Sequence, residues 1–360
     1  MEAAIFVGME KKKILVCVMN WGLGHATRCI PIINALQNEG FIPLLASDGP
    51  ALALLRKEFP QLKSIELPSY NITYTKNPKM LKWKLLWQTP HILKTIKAEK
   101  KMIRKLVKDE NIHGIISDNR FGARSNKVHS VYITHQLNVL SGSLTYFSSK
   151  IHQHYIKKFD ACWVPDAPGK KNLSGILGHL KNDNLRPKYI GPVSRFEKKS
   201  LPYKYDYLVL LSGPEPQRGL LQDILFKAFR KTNKKLFFVR GVVNDEEFTC
   251  LNPNVTIRNY LFGKELEEVI NSSRMVISRS GYTSLLDLAK LQKRAFFIPT
   301  PGQFEQEYLA ERLKNLGIAA YCNQEEFDIA LLEKQEKYSG LENIEFTPNF
   351  GMLFTLFDRK

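Results

Sequence analysis

The chain repeats one pattern twice: a short apolar run, a loop, and then a segment with helical periodicity. Runs that are apolar throughout are typical of parallel strands, because both faces of such strands are buried. These runs are 14–19, 43–47, 114–117, 131–134 and 161–164 in the first half, and 207–212, 236–241, 255–261, 275–278 and 295–299 in the second. The alternation predicts an α/β fold, and its restart after a break predicts two doubly wound parallel-sheet domains.

The break lies at YIGPVSRFEKKSLPYKY, residues 189–205, where apolar periodicity is lost and Pro, Lys and Ser accumulate. We therefore expect a Rossmann-like domain at 12–190, a second one at 191–330, and a terminal segment at 331–360. Ligands of such sheets bind beyond the carboxyl ends of the strands. The cleft between the two domains is the expected ligand site.

The charge balance narrows the classes of partner. Lys and Arg number 53 against 35 Asp and Glu, a formal net charge of +18. This excess favours nucleic acid, an anionic membrane surface or phosphorylated substrates, although a generally basic cytosolic protein has the same balance. The sequence contains no recognised nucleic-acid-binding module, so we expect no nucleic-acid partner. Five scattered cysteines without a CxxC pair predict neither disulfides nor a metal site and favour the reducing cytoplasm.

A glycine-bearing loop, NWGLGHATR at 20–28, follows the first strand. Gly22 and Gly24 let the backbone approach a ligand, and the next helix offers free N–H groups to an anion. His25 stands in the first turn of that helix. It suits a general base toward an acceptor hydroxyl, but it equally suits a helix cap or a phosphate contact. A dinucleotide fingerprint is a weaker interpretation, because Thr27 stands where the third glycine belongs.

Three loops of the second half join a strand to a helix, a position where backbone N–H groups can bind an anion. They are LLSGPEPQR at 210–218, SRSGYTSLLDLAKL at 278–291 and IPTPGQFEQEYLAERL at 298–313. The side chains and turns that they offer to a ligand are Ser212, Gly213, Gln217, Arg218, Ser280, Gly281, Thr283, Asp287, Gln303, Glu305 and Gln306. Thr283 and Ser284 can also cap the helix that they begin. Simpler interpretations are that Asp287 is a solvated helix residue and that the third cluster only caps a helix.

Together these positions resemble the family 28 glycosyltransferases, a group that includes the N-acetylglucosaminyltransferase that makes lipid II and the diacylglycerol galactosyltransferases. The resemblance runs from about residue 12 to about residue 325 and is strongest in SRSGYTSLLDLAKLQKRAFFIPTPGQFEQEYLAERLKNLGIA. It implies a GT-B fold, in which two Rossmann-like domains face each other across a cleft. It also implies that the second half binds a UDP-sugar and the first half binds the acceptor.

The resemblance further implies roles for the matching donor-side residues. The turn Arg279-Ser280-Gly281 would contact the diphosphate, with Arg218 or Arg279 stabilising its departure. Asp287 would hold the ribose hydroxyls, and the backbone around Leu261 and Phe262 would recognise the uracil edge. The donor sugar would contact the polar loop residues Gln303, Glu305 and Gln306. His25 matches the family's histidine, and GPVSR at 191–195 matches its interdomain turn.

Three departures leave the donor sugar and the acceptor open. The glycine run before His25 is short, Asp287 stands where the family usually has Glu, and SGPEPQR replaces a Gly-Gly-Ser-Gln-Gly phosphate loop. On the acceptor side, two polar clusters follow predicted strands: Ser117-Asp118-Asn119-Arg120 and Thr134-His135-Gln136. The acceptor-site candidates are therefore Gly22, Gly24, Asp118, Asn119, Arg120 and His135, with Asp118 also a candidate to orient His25.

The implied reaction is a direct displacement with inversion, in which His25 or a nearby carboxylate deprotonates the acceptor. We expect no metal ion and no cofactor beyond the UDP-sugar co-substrate. Two alternatives share the fold: a UDP-sugar 2-epimerase, which typically carries Asp-Ser-Gly-Gly where this chain has Ser-Arg-Ser-Gly, and a non-catalytic nucleotide-sugar-binding protein.

A basic and aromatic segment, residues 79–105, is typical of a contact with a membrane surface. Trp83 and Trp87 lie four residues apart among lysines, a combination that suits an anionic interface. Together with lipid or glycan acceptors in the resembling family, it predicts a cytoplasmic protein that binds peripherally to the inner face of the membrane. The alternative is an ordinary amphipathic helix that packs its Trp face on the first sheet. Pro90 is expected to break or kink the segment.

Overall fold

The computed structural model describes residues 11–71, 81–169, 172–181, 184–242, 252–342, 344 and 350–358, with residues 81–87 described as main chain only. The described residues form two parallel sheets, one of seven strands and one of six, with helices packed on them. This architecture confirms the prediction of an α/β protein with two Rossmann-like units. Among the described residues, no helix combines the length and the apolar character that crossing a membrane requires.

The first sheet comprises β1 (Lys13–Val18), β2 (Ile42–Ser47), β3 (Ser64–Glu66), β4 (Ile112–Asp118), β5 (His129–Ile133), β6 (Ala161–Val164) and β7 (Lys188–Tyr189). Its helices are α1 (Gly24–Asn38), α2 (Gly49–Glu58), α3 (Leu81–Asp109) and α4 (Thr145–Ile156). The strand order is β3-β2-β1-β4-β5-β6-β7. The predicted strands of the first half are all present, because their side chains are buried on both faces of the sheet.

The second sheet comprises β8 (Tyr205–Leu210), β9 (Leu236–Val239), β10 (Val255–Arg258), β11 (Ser273–Ser278), β12 (Arg294–Phe297) and β13 (Ala320–Tyr321). Its helices are α5 (Gln217–Phe229), α6 (Gly263–Asn271), α7 (Tyr282–Lys290) and α8 (Phe304–Asn315). The strand order is β10-β9-β8-β11-β12-β13. The strands β3, β7 and β13 are not predicted from the sequence, because edge strands of two or three residues carry no apolar run.

Both sheets reverse their strand order at one place. In the first sheet the reversal lies between β1 and β4, and in the second it lies between β8 and β11. At such a point the loops that leave neighbouring strands diverge to opposite faces of the sheet and open a crevice. The loops at these two crevices include four of the polar clusters singled out in the sequence.

Helix α3 spans the segment that predicted a membrane contact. It continues through Pro90, so of the predicted break or kink the break does not occur. Ile96, Ile103 and Val107 of this helix are buried against the first domain, and this packing outweighs the loss of one backbone hydrogen bond at proline. The later turns therefore form an ordinary amphipathic helix, whereas the side chains of Trp83 and Trp87 lie outside the described residues.

The segment between the sheets is packed rather than loose. Val193 is buried in the core of the first domain, whereas Phe196 is buried in that of the second. The chain thus passes from the core of the first sheet to the core of the second at Ser194 and Arg195.

The end of the chain returns to the first domain. The short helix α9 (Phe350–Phe354) and the turn after it place Phe354 and Phe357 in the core that contains β1. Lys12 Nζ donates to the carbonyl oxygen of Phe357 at 3.2 Å. A Cβ atom at Gly114 would overlap the Phe357 ring, so the tail packs directly on the strand backbone. The preceding residues behave differently, since Leu332 is buried in the core of the second domain.

Replacing Phe357 by alanine is expected to destabilise the first domain by about 3–5 kcal/mol, the usual range for a buried phenylalanine. Chemical denaturation of the full chain measures this loss. Met352, which is 67% exposed on α9, provides the control, because its replacement by alanine should change stability by less than about 0.5 kcal/mol. Equal stability of both variants would contradict the docking of the tail.

Candidate functional site

The crevice of the first domain holds a histidine–aspartate pair. His25 lies in the first turn of α1, and its Nδ1 atom is 2.6 Å from Oδ1 of Asp118, the last residue of β4. Asp118 is fully buried, while the His25 side chain keeps 14% of its surface exposed. The two residues are 93 positions apart in sequence and meet because β1 and β4 are neighbours. The predicted contact between Asp118 and His25 is present.

Arg28 joins this pair, although it is not among the residues predicted from the sequence. Its Nε and Nη2 atoms donate to the two carboxylate oxygens of Asp118, both at 2.5 Å. Its Nη1 atom is 3.1 Å from Nδ1 of His135, which follows β5. The sequence signal that could have identified Arg28 is its spacing, because a residue three positions after His25 lies on the same face of a helix.

The contacts of His25 indicate which ring nitrogen carries the proton. Nδ1 is near both Asp118 Oδ1 and, at 2.8 Å, Arg28 Nη2. Arg28 can only donate and the carboxylate can only accept, so the shorter contact assigns the Nδ1 proton to Asp118. Nε2 then carries a free lone pair. This is the arrangement in which a carboxylate orients a histidine that acts as a base.

The charges around this pair favour a neutral ring. Burial lowers the pKa of His25, and the positive charge of Arg28 lowers it further, against the opposing effect of Asp118. Burial alone would raise the pKa of Asp118, but Arg28 and His25 outweigh it and hold that pKa well below its usual range. At neutral pH, Asp118 is therefore ionised and His25 is free to accept a proton.

The crevice of the second domain is lined by two strand-to-helix turns. After β11, Gly281 precedes α7 in an extended conformation, and Ser280 Oγ donates to the Gln306 carbonyl at 2.7 Å. After β8, Ser212 and Gly213 are exposed, with φ of 98° at Gly213. Gln217 is the first residue of α5, and its buried Oε1 atom has no hydrogen-bond partner among the described residues. These turns keep backbone groups available for an anion.

The roles predicted for the side chains of Arg218 and Arg279 require a correction. Arg279 is buried and donates to the carbonyl oxygens of Ile298, Pro299 and Gln217 and to Gln324 Oε1, and burial lowers its pKa to about 10. Arg218 donates to Glu215, to Gln222 Oε1 and to the Arg240 carbonyl. Both guanidinium groups hold loops together, so their side chains do not face a diphosphate. The backbone of the turns remains for that role.

Residues of the third loop make two kinds of contact. Gln303 and Gln306 bond within the loop and the start of α8, whereas Glu305 contacts the first domain across the cleft. Gln303 Oε1 accepts from the Gln306 backbone N–H at 2.6 Å, and Gln306 Oε1 accepts from Thr300 N–H at 2.8 Å. For these two residues, the simpler capping interpretation describes the structure. Glu305 instead reaches the first domain, with Oε1 3.2 Å from His135 Nε2 and Oε2 accepting from the Gln136 amide.

Helix α7 of the second domain faces helix α1 of the first. The Tyr282 ring stacks on His135 with 4.2 Å between centroids and 5° between planes. Thr283 Oγ1 donates to the Gly24 carbonyl at 3.4 Å, so the prediction that Thr283 caps its own helix is wrong. A Cβ atom at Gly24 would lie 2.8 Å from Thr283 Oγ1, which explains the need for glycine. Gly22, at φ 79°, remains open to solvent in the preceding loop.

On the acceptor side, the role predicted for Arg120 also requires a correction. It is fully buried and donates to Glu99 Oε1 at 2.5 Å and to Asp48 Oδ1 at 2.6 Å. A buried guanidinium that is paired with two carboxylates is part of the framework and not available to an acceptor. Asn119 is only partly buried, and its Oδ1 atom accepts from Tyr132 Oη at 3.2 Å.

The residues predicted for the nucleoside lie near the interdomain segment. Leu261 is buried, and Lys57 Nζ of the first domain lies 4.1 Å from the centroid of the Phe262 ring. Asp287 Oδ1 accepts from Ser194 Oγ at 2.6 Å. Burial raises the pKa of Asp287 to about 6, against the opposing effects of Ser194 and Arg195. Asp287 is therefore not a solvated helix residue.

Comparisons with known proteins find relatives of the second half and of the whole chain. Residues 208–343 match the model of the glycosyltransferase family 28 C-terminal domain. Over 331 residues the chain is 22% identical to the UDP-N-acetylglucosamine--N-acetylmuramyl-(pentapeptide) pyrophosphoryl-undecaprenol N-acetylglucosamine transferase of Haemophilus ducreyi, a similarity that covers 88% of this chain and 86% of the relative.

Solved structures share the whole fold at low sequence identity. The glycotransferase of kitacinnamycin aligns with a TM-score of 0.65 at 15% identity, covering 98% of this chain and 95% of that one. MurG of Acinetobacter baumannii aligns with a TM-score of 0.59 at 12% identity, covering 97% and 100%. The chain therefore has the GT-B fold of these structures, and its residues 208–343 match the C-terminal domain of glycosyltransferase family 28.

Proposed function

We propose that the protein moves a sugar from a UDP-sugar to a hydroxyl group of an acceptor, with inversion at the anomeric carbon. The observation that carries this proposal is the His25–Asp118 pair, which stands in one crevice while the N-terminus of α7 faces it from the other. A base on one side of a cleft and an anion-binding turn on the other are the two parts that a direct displacement needs.

In this mechanism, His25 Nε2 takes the proton of the acceptor hydroxyl, and Asp118 stabilises the imidazolium that forms. The hydroxyl oxygen attacks the anomeric carbon on the face opposite the diphosphate. The bond between that carbon and the diphosphate oxygen breaks, and UDP leaves. Backbone N–H groups of the turns at 212–213 and 280–282 stabilise the charge that develops on the diphosphate. No metal ion and no cofactor beyond the UDP-sugar enters the proposal.

The donor assignment rests on the family 28 match and on Asp287. The Haemophilus ducreyi relative is named for a UDP-N-acetylglucosamine donor, and Asp287 lies at the position that binds ribose in the family it resembles. Replacing Asp287 by alanine should weaken UDP binding by about 1–3 kcal/mol, because the ribose hydroxyls lose charge-assisted hydrogen bonds. Calorimetry with UDP measures this loss. Asp223→Ala, which removes an exposed carboxylate from α5, is the matched control. Unchanged affinity in a folded Asp287→Ala variant would refute the donor site.

We also propose a lipid or lipid-linked acceptor, reached by peripheral binding at the cytoplasmic face of a membrane. The relative from Haemophilus ducreyi is named for a pyrophosphoryl-undecaprenol acceptor. On α4, which follows the His135 loop, Tyr146, Phe147 and Ile151 are 66%, 65% and 62% exposed. Such a group of large exposed apolar side chains is unusual on a surface that contacts only water.

Basic side chains cluster between α3 and the residues that follow α4, and Lys150 Nζ lies 5.6 Å from the centroid of the Tyr146 ring. The positive charge of Arg124 is the largest effect that lowers the pKa of Lys100, followed by burial and then by the positive charges of Arg104 and Lys158. Like charges that converge in this way favour an anionic partner, and each contributes about 1 kcal/mol at an anionic bilayer. Apolar and basic side chains on neighbouring helices α3 and α4 therefore suit a membrane interface.

Sedimentation with vesicles tests the membrane contact. We expect binding to anionic vesicles at low salt, weaker binding at high salt, and little binding to neutral vesicles. Changing Phe147 and Ile151 to serine should abolish most of this binding, whereas Met352→Ser, at an equally exposed position on α9, should not. Equal and negligible sedimentation with both kinds of vesicle would contradict the proposal and favour a soluble acceptor.

A further inference from the structure

The crossing between the two domains is tied to the predicted ribose-binding carboxylate. Val193 belongs to the core of the first domain and Phe196 to the core of the second, with Ser194 between them. Ser194 Oγ accepts from the Phe196 backbone N–H at 3.2 Å and donates to Asp287 Oδ1 at 2.6 Å. The accepted bond orients the hydroxyl, so that its proton points at the carboxylate.

The hydrogen bond from Ser194 occupies one oxygen of the Asp287 carboxylate and leaves the other available to a ligand. Among the residues that the structure describes, Asp287 Oδ1 accepts only from Ser194, and Oδ2 has no hydrogen-bond partner. A ribose diol presents two adjacent hydroxyl donors, which a carboxylate with a fixed plane can accept together. A carboxylate held by a neighbour also loses less rotamer entropy when the ligand binds.

We propose that Ser194 is a positioning residue for donor binding: it fixes the Asp287 carboxylate for the ribose hydroxyls and couples the donor site to the interdomain segment. This inference rests on the proposed UDP-sugar donor. It gives Ser194, the serine of the GPVSR sequence at 191–195, a role in donor binding.

The charges that face Asp287 give the proposal a pH signature. Burial raises the pKa of Asp287 to about 6, and the Ser194 hydrogen bond and Arg195 act in the opposite direction. Arg195 also lies 3.5 Å from Glu58 of α2. Lys290, the basic residue one turn later on α7, is paired with Glu197 at 3.1 Å. Removing the hydroxyl therefore raises the pKa of Asp287 further, and binding that needs the carboxylate is lost at a higher pH.

The experiment is a pH titration of UDP affinity by calorimetry, from about pH 5.5 to about pH 8.5, on the full chain. Wild type, Ser194→Ala and Ser194→Thr are compared, each with Asp287 intact and with Asp287→Asn. In Ser194→Ala, the midpoint of the affinity loss should move up by about one pH unit, since a hydrogen bond to a charged group contributes about that much. Affinity should be weaker than wild type at every pH, because the carboxylate is no longer held in place, and the difference should be roughly tenfold larger near pH 5.5 than near pH 8.5. Titration of the UDP phosphates is common to all variants and cancels.

Ser194→Thr keeps the hydroxyl and should restore the wild-type profile. Ser194→Ala should cause no shift in the Asp287→Asn background. Ser194→Cys, a weaker donor, should give an intermediate shift and replaces the alanine variant if that variant does not fold. An equal loss of affinity at every pH, or the same shift with Asp287→Asn, would overturn the inference in favour of a purely structural serine. If the wild type binds no UDP, the proposed function itself fails; if only Asp287→Ala weakens binding, this inference alone fails.

Discussion

Replacing His25 by alanine is expected to lower turnover by about 10²–10⁴-fold, the usual contribution of a general base, while UDP affinity stays near that of the wild type. The two effects separate because His25 lies on α1, in the crevice of the first domain, whereas the proposed nucleotide site lies in the second. Steady-state kinetics and UDP calorimetry on the same preparation measure both. His91→Ala, which removes an exposed histidine from α3, should leave both unchanged.

The pH dependence gives an independent check on His25. Because burial and Arg28 lower its pKa below 6.5, the neutral base persists below that pH. Turnover of the wild type should therefore stay high on the acidic side until the pH falls below about 6.5, and this acidic limb should disappear in His25→Ala. Near-normal turnover in the variant would remove His25 from the mechanism and favour a carboxylate as the base.

Replacing Asp118 by asparagine should have two large effects. An amide cannot stabilise the imidazolium and can present an N–H group to Nδ1, which selects the wrong tautomer; the expected fall in turnover is about 10²–10⁴-fold. The same change leaves Arg28 buried without its carboxylate, which should destabilise the first domain by about 3–5 kcal/mol. Kinetics and chemical denaturation measure the two effects separately.

A double variant separates the effect of Asp118 on stability from its effect on turnover. In Asp118→Asn, a further Arg28→Met change removes the unpaired charge and should recover much of the lost stability, because apolar replacement of a whole buried ion pair is often neutral. Turnover should stay low, since the histidine still lacks its carboxylate. If stability and turnover recovered together, the role of Asp118 would be structural only.

Much of the fold was predictable because its signals are local. Runs such as 14–19 and 275–278 are apolar throughout and end in loops, so strands, order of elements and the position of the cleft follow from periodicity and from the rule for parallel sheets. His25 and Asp118 could be singled out because each follows a strand that the pattern places at this edge.

The directions of long side chains were not predictable. Arg120, Arg218 and Arg279 are adjacent to expected ligand positions in sequence, but each guanidinium turns into the protein to satisfy carbonyl or carboxylate groups. Arg28, one turn along α1 from His25, turns toward the site instead. Which of these outcomes occurs depends on partners that are brought near by tertiary packing, such as Asp48 for Arg120 and Asp118 for Arg28.

The contact between Glu305 and His135 was likewise beyond the sequence. The residues lie 170 positions apart in different domains, and the pattern assigned one to the donor and the other to the acceptor. Their contact shows that the two sides of the cleft meet at this point. Neither local periodicity nor loop composition indicates how close two domains lie to each other.

The most direct test of the central claim is a measurement of UDP release from a panel of UDP-sugars, with and without a lipid extract as acceptor. The account predicts that wild type releases UDP from at least one of them, that the extract accelerates release, and that His25→Ala loses release while still binding UDP. Conversion of the donor into its 2-epimer, or the absence of UDP release and UDP binding with every donor, would contradict it.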